Sequence, residues 1–288
     1  MRVTGRYINM DASAERRVRM EAQLAAAGCA EIYRRFRAVD GRGVRHPGSK
    51  ISQGELGCFL SHYACILEAP ADQNVHVIED DVELAPQTMP LIGDLQESLT
   101  EQFDLLFTDI FVPLNMGSIF NLMEFYRASG MAAVRQAAPS LRMPTSILYP
   151  SLRPIEFTGA TSYIVSRRAR HKLRRLLEEE LDAGPRQPID MAFRRWIADG
   201  RLEGLCTMPF LTSIQADSIR NSTISDRAQD PATAFAYYLL RRFFYVAKDD
   251  AALVEAARSL SGDLADPGYM DSMLEVFRFL FSEKFVAF

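Results

Sequence analysis

Apolar and polar positions alternate along the N-terminal part of the chain in a pattern that predicts short strands joined by amphipathic helices. Residues 6–10 form a short apolar segment, and an Ala-, Arg- and Glu-rich helix follows, with Asp11 as its expected N-cap and Gly28 at its end. A second strand is predicted near residues 36–39. The glycine-rich, polar residues 42–50 are typical of a loop.

The longest helical pattern in this part of the chain begins at Ser52. Ser52 and Glu55 have the spacing of a capping box, in which each side chain accepts a hydrogen bond from the backbone N–H of the other residue. The apolar face that follows has helical periodicity and consists of Leu56, Phe59, Leu60, Tyr63 and Leu67. Residues 75–78 then form a short apolar strand, and another strand is predicted over residues 104–108.

The remaining chain continues this alternation and then becomes helical. Residues 113–157 are interrupted by prolines and contain a predicted helix near residues 118–128. The further predicted elements are a strand at 158–166, helices at 167–181 and 190–197, a strand at 202–208, and helices at about 232–247, 251–260 and 268–285. The pattern predicts an α/β domain with a parallel or mixed sheet, residues 1–230, and an α-helical C-terminal extension, residues 231–288.

The composition of the 288-residue chain is that of a globular protein, with 48% hydrophobic and 24% charged residues. The net charge of -4 gives no overall attraction to nucleic acid or anionic lipid. The four cysteines include no CxxC pair and no tight cluster with histidine, so we expect neither a thiolate zinc site nor a disulfide framework. No apolar segment approaches the ~20 residues that cross a membrane, which predicts a cytoplasmic protein.

Three adjacent acidic residues, Glu79, Asp80 and Asp81, follow directly after the strand at residues 75–78. Neighbouring carboxylates repel one another and are costly to bury unless cations neutralise them. Oxygen ligands of this kind suit Mg²⁺ or Mn²⁺, and ligands of α/β folds bind beyond the carboxyl ends of the strands. The acidic triplet is therefore a candidate metal site; the alternative is a solvated acidic turn.

The acidic triplet is one of several short motifs that occur in a characteristic order. The motifs are YINM at residues 7–10, ERR at 15–17, AVDG at 38–41, GELGCFLSH at 54–62, IEDDV at 78–82, TGATSYIVS at 158–166 and PID at 188–190. Together they closely resemble glycosyltransferase family 25, which includes lipooligosaccharide galactosyltransferases and collagen galactosyltransferases. The resemblance covers about residues 3–225.

The resemblance implies a GT-A-like, Rossmann-like fold that transfers a hexose, galactose or glucose, from a UDP-sugar to a hydroxyl of a glycan or glycolipid acceptor. It further implies inversion at the anomeric carbon, a place in the synthesis of bacterial lipooligosaccharide or another surface glycan, and a Mn²⁺ or Mg²⁺ ion bound by Asp81 and Asp80. The residues that match the family's motifs and are assigned to donor binding are Asn9, Arg16, Glu55, Ser61, His62, Glu79 and Asp80.

Several of these residues have a second, structural interpretation that the sequence leaves open. Helix capping alone explains Glu55. His62 lies on an otherwise apolar helix, as a hydrogen-bonded core histidine would, and Arg16 is compatible with a solvated helix surface. Cys58 and Cys65 are interpreted as small core residues rather than ligands.

Inverting transfer needs a base that takes the proton of the acceptor hydroxyl as its oxygen attacks. Asp190 is the first candidate because the family pattern has an acidic residue at this point; the alternative is a favourable interaction with the helix dipole at a helix start. Asp109, at the end of the strand at residues 104–108, is the reserve candidate.

Two charged segments also allow two interpretations each. The basic residues at 167–175 precede Glu178, Glu179 and Glu180, and they either face an anionic partner or form ion pairs along the helix. The aromatic stretch around Arg241 and Arg242 either rests on a membrane surface as a peripheral contact, or packs in a helical subdomain or homodimer interface.

Two other functions compete with the transferase. A non-catalytic nucleotide-sugar or carbohydrate-binding relative would not need the acidic residues Glu79, Asp80, Asp81 and Asp190 that this chain retains. A metal-dependent phosphohydrolase with a two-metal cluster would usually need more histidine than the four scattered residues of this chain.

Overall fold

A computed structural model describes residues 3–85, 88–93, 97–113, 115–130, 146–219 and 231–247. Its strands are β1 (Val3–Asn9), β2 (Tyr33–Arg37), β3 (Asn74–Glu79), β4 (Val82–Leu84), β5 (Leu105–Phe107), β6 (Ser162–Val165), β7 (Gly204–Cys206) and β8 (Thr212–Ile214). Its helices are α1 (Ala14–Ala26), α2 (Gln53–Glu68), α3 (Thr88–Gly93), α4 (Glu97–Thr100), α5 (Met116–Ala128), α6 (Arg170–Asp182), α7 (Ile189–Ala198) and α8 (Pro231–Phe244).

Six of these strands form the central sheet in the order β2-β1-β3-β6-β5-β7. Strand β6 is antiparallel to both of its neighbours, and the other strand pairs are parallel. The carboxyl ends of β1, β3 and β5 therefore lie at the same edge of the sheet. This mixed α/β architecture with a mostly parallel sheet confirms the predicted fold class and is consistent with a Rossmann-like glycosyltransferase.

Alternation of side chains along the strands gives the sheet two buried faces. Tyr7 of β1 and Ile78 of β3 pack with Met20 and Leu24 of α1, whereas Ile8 and Val77, their neighbours in sequence, belong to the core on the other face. That second core includes apolar residues of α2, α5, α6, α7 and α8. Helix α8 thus packs into the same core as the sheet.

Helix α2 begins where the sequence predicts, and the capping box of Ser52 and Glu55 is confirmed, with both reciprocal hydrogen bonds present. A short 3-10 turn, Gly41–Gly43, packs directly against the first turn of the helix. A Cβ atom on Gly41 would lie 1.8 Å from the backbone oxygen of Gln53, and one on Gly57 would lie 2.7 Å from the nitrogen of Gly41. Only glycine permits this approach, which accounts for glycines of the two motifs at residues 38–41 and 54–62.

The structure corrects several predicted boundaries. Ser13, not Asp11, is the N-cap of α1; Asp11 instead forms ion pairs of 2.6 Å with Arg35 and with Arg37. The sequence patterns missed β4 and β8, which form a separate two-stranded antiparallel sheet. Strands of three residues are too short to show a hydrophobic period, and they form because each supplies the other's hydrogen-bond partners.

The predicted helices near residues 118–128 and 232–247 are confirmed as α5 and α8. Those predicted at residues 251–260 and 268–285 lie outside the described residues. Three basic residues of α6 form ion pairs: Lys172 with Asp104, Arg174 with Glu178 at 2.8 Å, and Arg175 with Glu179 at 3.5 Å. Arg170 instead donates to the backbone oxygens of Ala69 and Pro70. Within the described ranges, the helices are too short or too polar to span a bilayer.

Candidate active site

The acidic triplet lies in the connection between the two sheets. Glu79 ends β3, Asp80 and Asp81 form a turn, and Val82 begins β4. The backbone is held on both sides, because Glu79 N–H donates to the oxygen of Thr161 at 2.8 Å and Gln215 N–H donates to the oxygen of Asp81 at 2.9 Å. The three carboxylates are therefore presented from a hydrogen-bonded turn at the carboxyl edge of the sheet.

Asp80 points towards β1 and α1, where both of its carboxylate oxygens have partners. Asn9 donates to one oxygen at 2.6 Å, and Arg16 donates to the other at 3.3 Å. Burial raises the pKa of Asp80, and the hydrogen bond from Asn9 and the charge of Arg16 oppose that rise. The structure thus brings together three of the residues that the sequence singles out, from β1, α1 and the acidic turn.

Asp81 is less completely satisfied. Its Oδ2 atom lies 3.7 Å from Arg16, whereas its Oδ1 atom is buried and has no hydrogen-bond partner in the part of the chain that the structure describes. Burial, followed by the charge of Glu79, raises the pKa of Asp81 to about 7. The positive charges of Arg16 and Arg241 lower this pKa but do not cancel the rise. An unpaired, buried carboxylate oxygen is costly, and a cation at this oxygen would remove that cost.

Glu79 faces helix α2. His62, which is buried, lies with its Nε2 atom 3.1 Å from a carboxylate oxygen of Glu79 and its Nδ1 atom 2.8 Å from the hydroxyl of Tyr163. A carboxylate only accepts, so the Nε2 atom of His62 donates to Glu79. Burial works to raise the pKa of Glu79, but the hydrogen bond and charge of His62 outweigh it, and the pKa is lowered.

Glu55 and Ser61, also candidates for donor binding, have structural partners. The carboxylate of Glu55 accepts from the backbone N–H of Ser52 at 3.0 Å. The hydroxyl of Ser61 accepts from the N–H of Val39 at 2.8 Å and donates to the oxygen of Gly57 at 2.6 Å. These contacts join α2 to the segment after β2, while the donor-binding role of both residues stays a prediction.

Asp190 lies in the first turn of α7 and is mostly buried. Its carboxylate accepts from the N–H of Gly159 at 2.9 Å. Gly159 has φ +87°, and a Cβ atom there would lie 2.6 Å from the ring of Phe111, so the position requires glycine. Two residues further along, Thr161 accepts from the backbone of Glu79, so one short segment contacts both Asp190 and the acidic triplet.

Asp109 follows β5 at the same edge of the sheet, and its side chain has no exposed surface. Arg241 of α8 donates to one carboxylate oxygen from Nε at 2.8 Å and from Nη2 at 2.5 Å, and Thr161 donates to the other at 3.1 Å. Burial raises the pKa of Asp109, and the charge of Arg241 opposes it. A base must reach the acceptor hydroxyl, so Asp190 is the candidate that we carry forward.

The carboxylates of Asp80 and Asp81, at the carboxyl edge of the sheet, are the oxygen donors that a hard divalent cation prefers. The Oδ1 atom of Asp81, which is buried without a partner among the described residues, is compatible with such an ion. Arg16 neutralises part of the charge that remains. The arrangement is suited to a cation that binds a phosphorylated ligand, because Mg²⁺ and Mn²⁺ usually combine one or two carboxylates with substrate phosphates.

The sequence model of glycosyltransferase family 25, described as an LPS biosynthesis protein family, matches residues 6–191. The chain belongs to glycosyltransferase family 25. The match extends from β1 to the first turn of α7 and thus includes the acidic triplet and Asp190. No curated protein matches the chain. Membership confirms the resemblance that the motifs indicate and implies a glycosyltransferase of LPS biosynthesis, with a sugar donor and a glycan acceptor.

In this family 25 chain, Arg241 and Arg242 lie in α8, beyond the residues that match the family. Both side chains are buried; Arg241 lies over the ring of Phe111 at 4.2 Å, and Arg242 forms a 2.6 Å ion pair with Glu83 of β4. The sequence patterns did not assign either arginine to the site. Two adjacent arginines within an aromatic helical stretch could have indicated buried ion pairs, because a buried charge needs a partner.

Cys58 is a further residue that the sequence patterns did not assign to the site. It is only partly buried, and its sulfur lies in one cluster with a ring nitrogen of His62 and a carboxylate oxygen of Glu79, all within 4.8 Å of one another. Cys58 packs against the main core, as expected, but its proximity to His62 and Glu79 was not expected from the sequence. The signal was the spacing of four residues between Cys58 and His62, which places both side chains on one face of α2.

Proposed function

We propose that this protein is a metal-dependent, inverting glycosyltransferase with a GT-A-like fold. It transfers a hexose, galactose or glucose, from a UDP-sugar to a hydroxyl of a glycan or glycolipid acceptor in bacterial lipooligosaccharide or surface-glycan synthesis. The proposed place of action is the cytoplasm, with peripheral contact to the inner face of the membrane where a lipid-linked acceptor would reside.

The observation that carries this proposal is the unpaired oxygen of Asp81 in the acidic turn of a family 25 chain. A solvated acidic turn, the alternative interpretation, would leave the carboxylates in water. Here the Oδ1 atom of Asp81 is buried and has no hydrogen-bond partner among the described residues, and a bound cation would supply one. A divalent cation fits the oxygen, and the diphosphate of a nucleotide-sugar fits the cation.

In the proposed assignment, Asp81 and Asp80 hold Mn²⁺ or Mg²⁺, which when bound stabilises the charge of the diphosphate leaving group. Asn9 and Arg16 orient Asp80, as their hydrogen bonds show. Arg16 also supplies a fixed positive charge beside Asp81, where the nucleotide diphosphate would lie.

Asp190 is the proposed base that accepts the proton of the acceptor hydroxyl. Its link to the acidic turn is short, because Gly159 contacts Asp190 and Thr161 contacts Glu79. The segment from Gly159 to Thr161 therefore connects the proposed base to the end of β3, beside the acidic turn.

The test is a donor screen with the purified protein. UDP-galactose, UDP-glucose and other UDP-sugars are each incubated with Mn²⁺ or Mg²⁺ in the absence of acceptor, and binding and the slow release of UDP are measured. We expect at least one UDP-hexose to bind and to release UDP slowly. Both the binding and the release should disappear after exhaustive treatment with EDTA. The anomeric configuration of a product formed with a simple glycoside acceptor then tests inversion.

Other results would contradict the proposal in distinct ways. Engagement of a UDP-sugar that survives EDTA treatment would exclude the metal site at Asp81. Binding of a UDP-sugar without turnover on any acceptor would favour a non-catalytic relative. Rapid, metal-dependent cleavage of phosphomonoesters would favour a phosphohydrolase.

A further inference from the structure

Cys58, His62 and Glu79 form a cluster of three chemically different donor groups beside the acidic turn. Cys58 and His62 lie one turn apart on α2, and Glu79 reaches them from the end of β3. The sulfur, a ring nitrogen and a carboxylate oxygen all lie within 4.8 Å of one another, and the nitrogen and oxygen are 3.1 Å apart. Within the described chain, this cluster is separate from the proposed hard-metal ligands.

The donor set of this cluster is that of a zinc site with an open position. Zn²⁺ binds thiolate, imidazole and carboxylate ligands at ~2.0–2.3 Å, and three protein ligands plus water are a common set. Ligand atoms of a tetrahedral ion at such distances lie roughly 3.3–3.8 Å apart, so rotation of side chains by about 1 Å would close the site. The side chain of Glu79 is 29% exposed and Cys58 is partly exposed, so an ion can reach them.

Tyr163 supplies the outer hydrogen bond that a metal-binding histidine needs. Its hydroxyl lies 2.8 Å from Nδ1 of His62, and a hydroxyl both donates and accepts. When the Nε2 atom of His62 binds an ion, the ring proton moves to Nδ1 and is donated to Tyr163. The thiol of Cys58 loses its proton to solvent as the sulfur–metal bond forms, so binding is coupled to proton release.

The cluster and the pair Asp80–Asp81 select different ions. Glu79 turns towards α2, whereas Asp80 turns towards α1, because successive side chains at the end of a strand point to opposite faces. Oxygen ligands alone suit Mg²⁺ or Mn²⁺, and a set that contains thiolate and imidazole suits softer ions such as Zn²⁺. The two sites therefore need not compete for one ion.

We infer that Cys58, His62 and Glu79 bind a thiophilic divalent cation of the Zn²⁺ class and that this ion inhibits sugar transfer. The inhibitory consequence, unlike the binding, rests on the proposed function. Glu79 directly precedes Asp80, so a fixed divalent charge at the cluster repels the catalytic cation and removes one negative charge of the acidic triplet. Inhibition is thus reversible and does not require the two ions to share a ligand.

The binding is tested with Co²⁺, a spectroscopic substitute for Zn²⁺, on the full-length protein. A thiolate bound to Co²⁺ gives a charge-transfer absorption in the near ultraviolet that oxygen and nitrogen ligands do not give. We expect this band to saturate at one Co²⁺ per chain, to disappear on addition of Zn²⁺, and to be absent in Cys58→Ser. It should persist in Asp81→Asn.

Cys29→Ser is the matched control, because the thiol of Cys29 is buried and donates only to the backbone oxygen of Leu24 at 3.3 Å, a bond that serine can retain. This variant should keep the full band. The inference is overturned if folded wild-type protein gives no band, if Cys58→Ser retains it, or if Asp81→Asn loses it. These measurements need no transferase activity, so their outcome is independent of the proposed function.

The inhibition is tested by adding Zn²⁺ to transfer assays at saturating Mn²⁺. Wild-type protein and Cys29→Ser should lose activity at the Zn²⁺ concentration that displaces Co²⁺, and a chelator selective for Zn²⁺ should restore it. Cys58→Ser should keep its basal activity and require at least tenfold more Zn²⁺ for the same inhibition. Equal sensitivity of Cys58→Ser and wild type would overturn the inhibitory role.

Discussion

Asp81 and Asp109 are both acidic residues that follow a strand at the carboxyl edge of the sheet, and their surroundings differ in one decisive respect. Both oxygens of Asp109 are satisfied, by Arg241 and by Thr161. Asp81 has Arg16 near one oxygen, and its other oxygen is buried without a partner among the described residues. Burial raises the pKa of both carboxyl groups, so burial alone does not distinguish them.

Hydrogen-bond satisfaction, rather than acidity or position, is thus the property that distinguishes the proposed binding carboxylate, Asp81, from the ion-paired Asp109. A buried carboxylate whose two oxygens are both hydrogen-bonded has no free oxygen for a cation, and its ion pair is costly to break. A carboxylate with an orphaned oxygen costs stability in the free protein and recovers it when a cation binds. The following predictions test this distinction, from the largest expected effect to the smallest.

Asp81→Asn should abolish transfer, with a loss of at least about 10³-fold, because metal stabilisation of a leaving group is worth several kcal/mol. The measurement is kcat/KM with the UDP-sugar identified in the screen, together with circular dichroism to show that the fold is retained. Asp72→Asn is the matched control, since Asp72 is exposed in the turn before the same strand β3. Activity of Asp81→Asn within tenfold of wild type would contradict the metal site.

Asp190→Asn should lower turnover by about 10²–10⁴-fold, the usual contribution of a positioned base, without a change in donor affinity. The amide can no longer take the proton, while it still accepts from Gly159, so the loop is maintained. Steady-state kinetics with varied donor and acceptor separate kcat from the KM for the donor. A turnover within a few-fold of wild type would show that Asp190 serves only the helix start.

Arg241→Met should lower the free energy of unfolding by about 3–5 kcal/mol, because it leaves the Asp109 carboxylate buried without its counter-ion. Denaturant unfolding measures the loss. The double variant Arg241→Met with Asp109→Leu removes both charges and should recover most of it. If the single variant is as stable as wild type, the ion pair is not structural and Asp109 is again a candidate base.

Asp81 should make the stability of the metal-free protein depend on pH in a defined window. Its pKa is raised from 3.8 to about 7 in the folded state, so between these values the folded protein binds the proton more tightly than the unfolded chain. Its contribution to stability is therefore lost as the pH rises from about 4 to 7 and stays lost above 7. At 1.36 kcal/mol per pKa unit, the cost reaches up to about 4 kcal/mol.

The measurement for this window is the difference in unfolding free energy between Asp81→Asn and wild type, in EDTA, from pH 4 to pH 8. We expect Asp81→Asn to have no advantage near pH 4 and to become progressively more stable than wild type up to pH 7. Asp109→Asn should be less stable than wild type at neutral pH, because it leaves Arg241 uncompensated. A flat difference for Asp81→Asn would show that its oxygen is not strained by burial.

The smallest effect is expected at Glu55, whose carboxylate forms a local capping box with Ser52. Glu55→Ala and Ser52→Ala should each lower the unfolding free energy by about 1 kcal/mol, the usual value of a helix cap, with an unchanged KM for the donor. Ser52→Ala is the control because it disrupts the same cap and leaves the Glu55 carboxylate in place. A rise in donor KM in Glu55→Ala alone would instead support direct donor binding.

Much of the fold follows from the sequence where the signal is local. The capping box at Ser52, the apolar strand before Glu79 and the helical period of α5 and α8 each depend on residues within a few positions of one another. Strands β4 and β8 could not be predicted in this way. They are three residues long and pair across more than a hundred residues of chain.

The same distinction between local and long-range contacts applies to the residues of the candidate site. The family resemblance assigned Asn9, Arg16 and Asp80 to the donor site and Asp81 to the metal, and the structure brings these side chains together through Asn9–Asp80, Arg16–Asp80 and Arg16–Asp81 contacts. Cys58 and His62 are four residues apart on one helix, so their proximity could be predicted from the sequence. The approach of Glu79 from the end of β3 could not, because it depends on how the helix packs on the sheet. Arg241 had no visible link to Asp109, from which it is 132 residues distant in sequence.

Three carboxylates at the end of strand β3 and two arginines within an aromatic helix follow directly from the sequence. Which charges neutralise each other depends on the fold: Arg241 pairs with Asp109, and one oxygen of Asp81 has no partner among the described residues. The reason is physical. Whether a buried carboxylate is satisfied depends on which groups the fold brings within hydrogen-bond distance, and that distance is set by packing between remote segments rather than by neighbours in sequence.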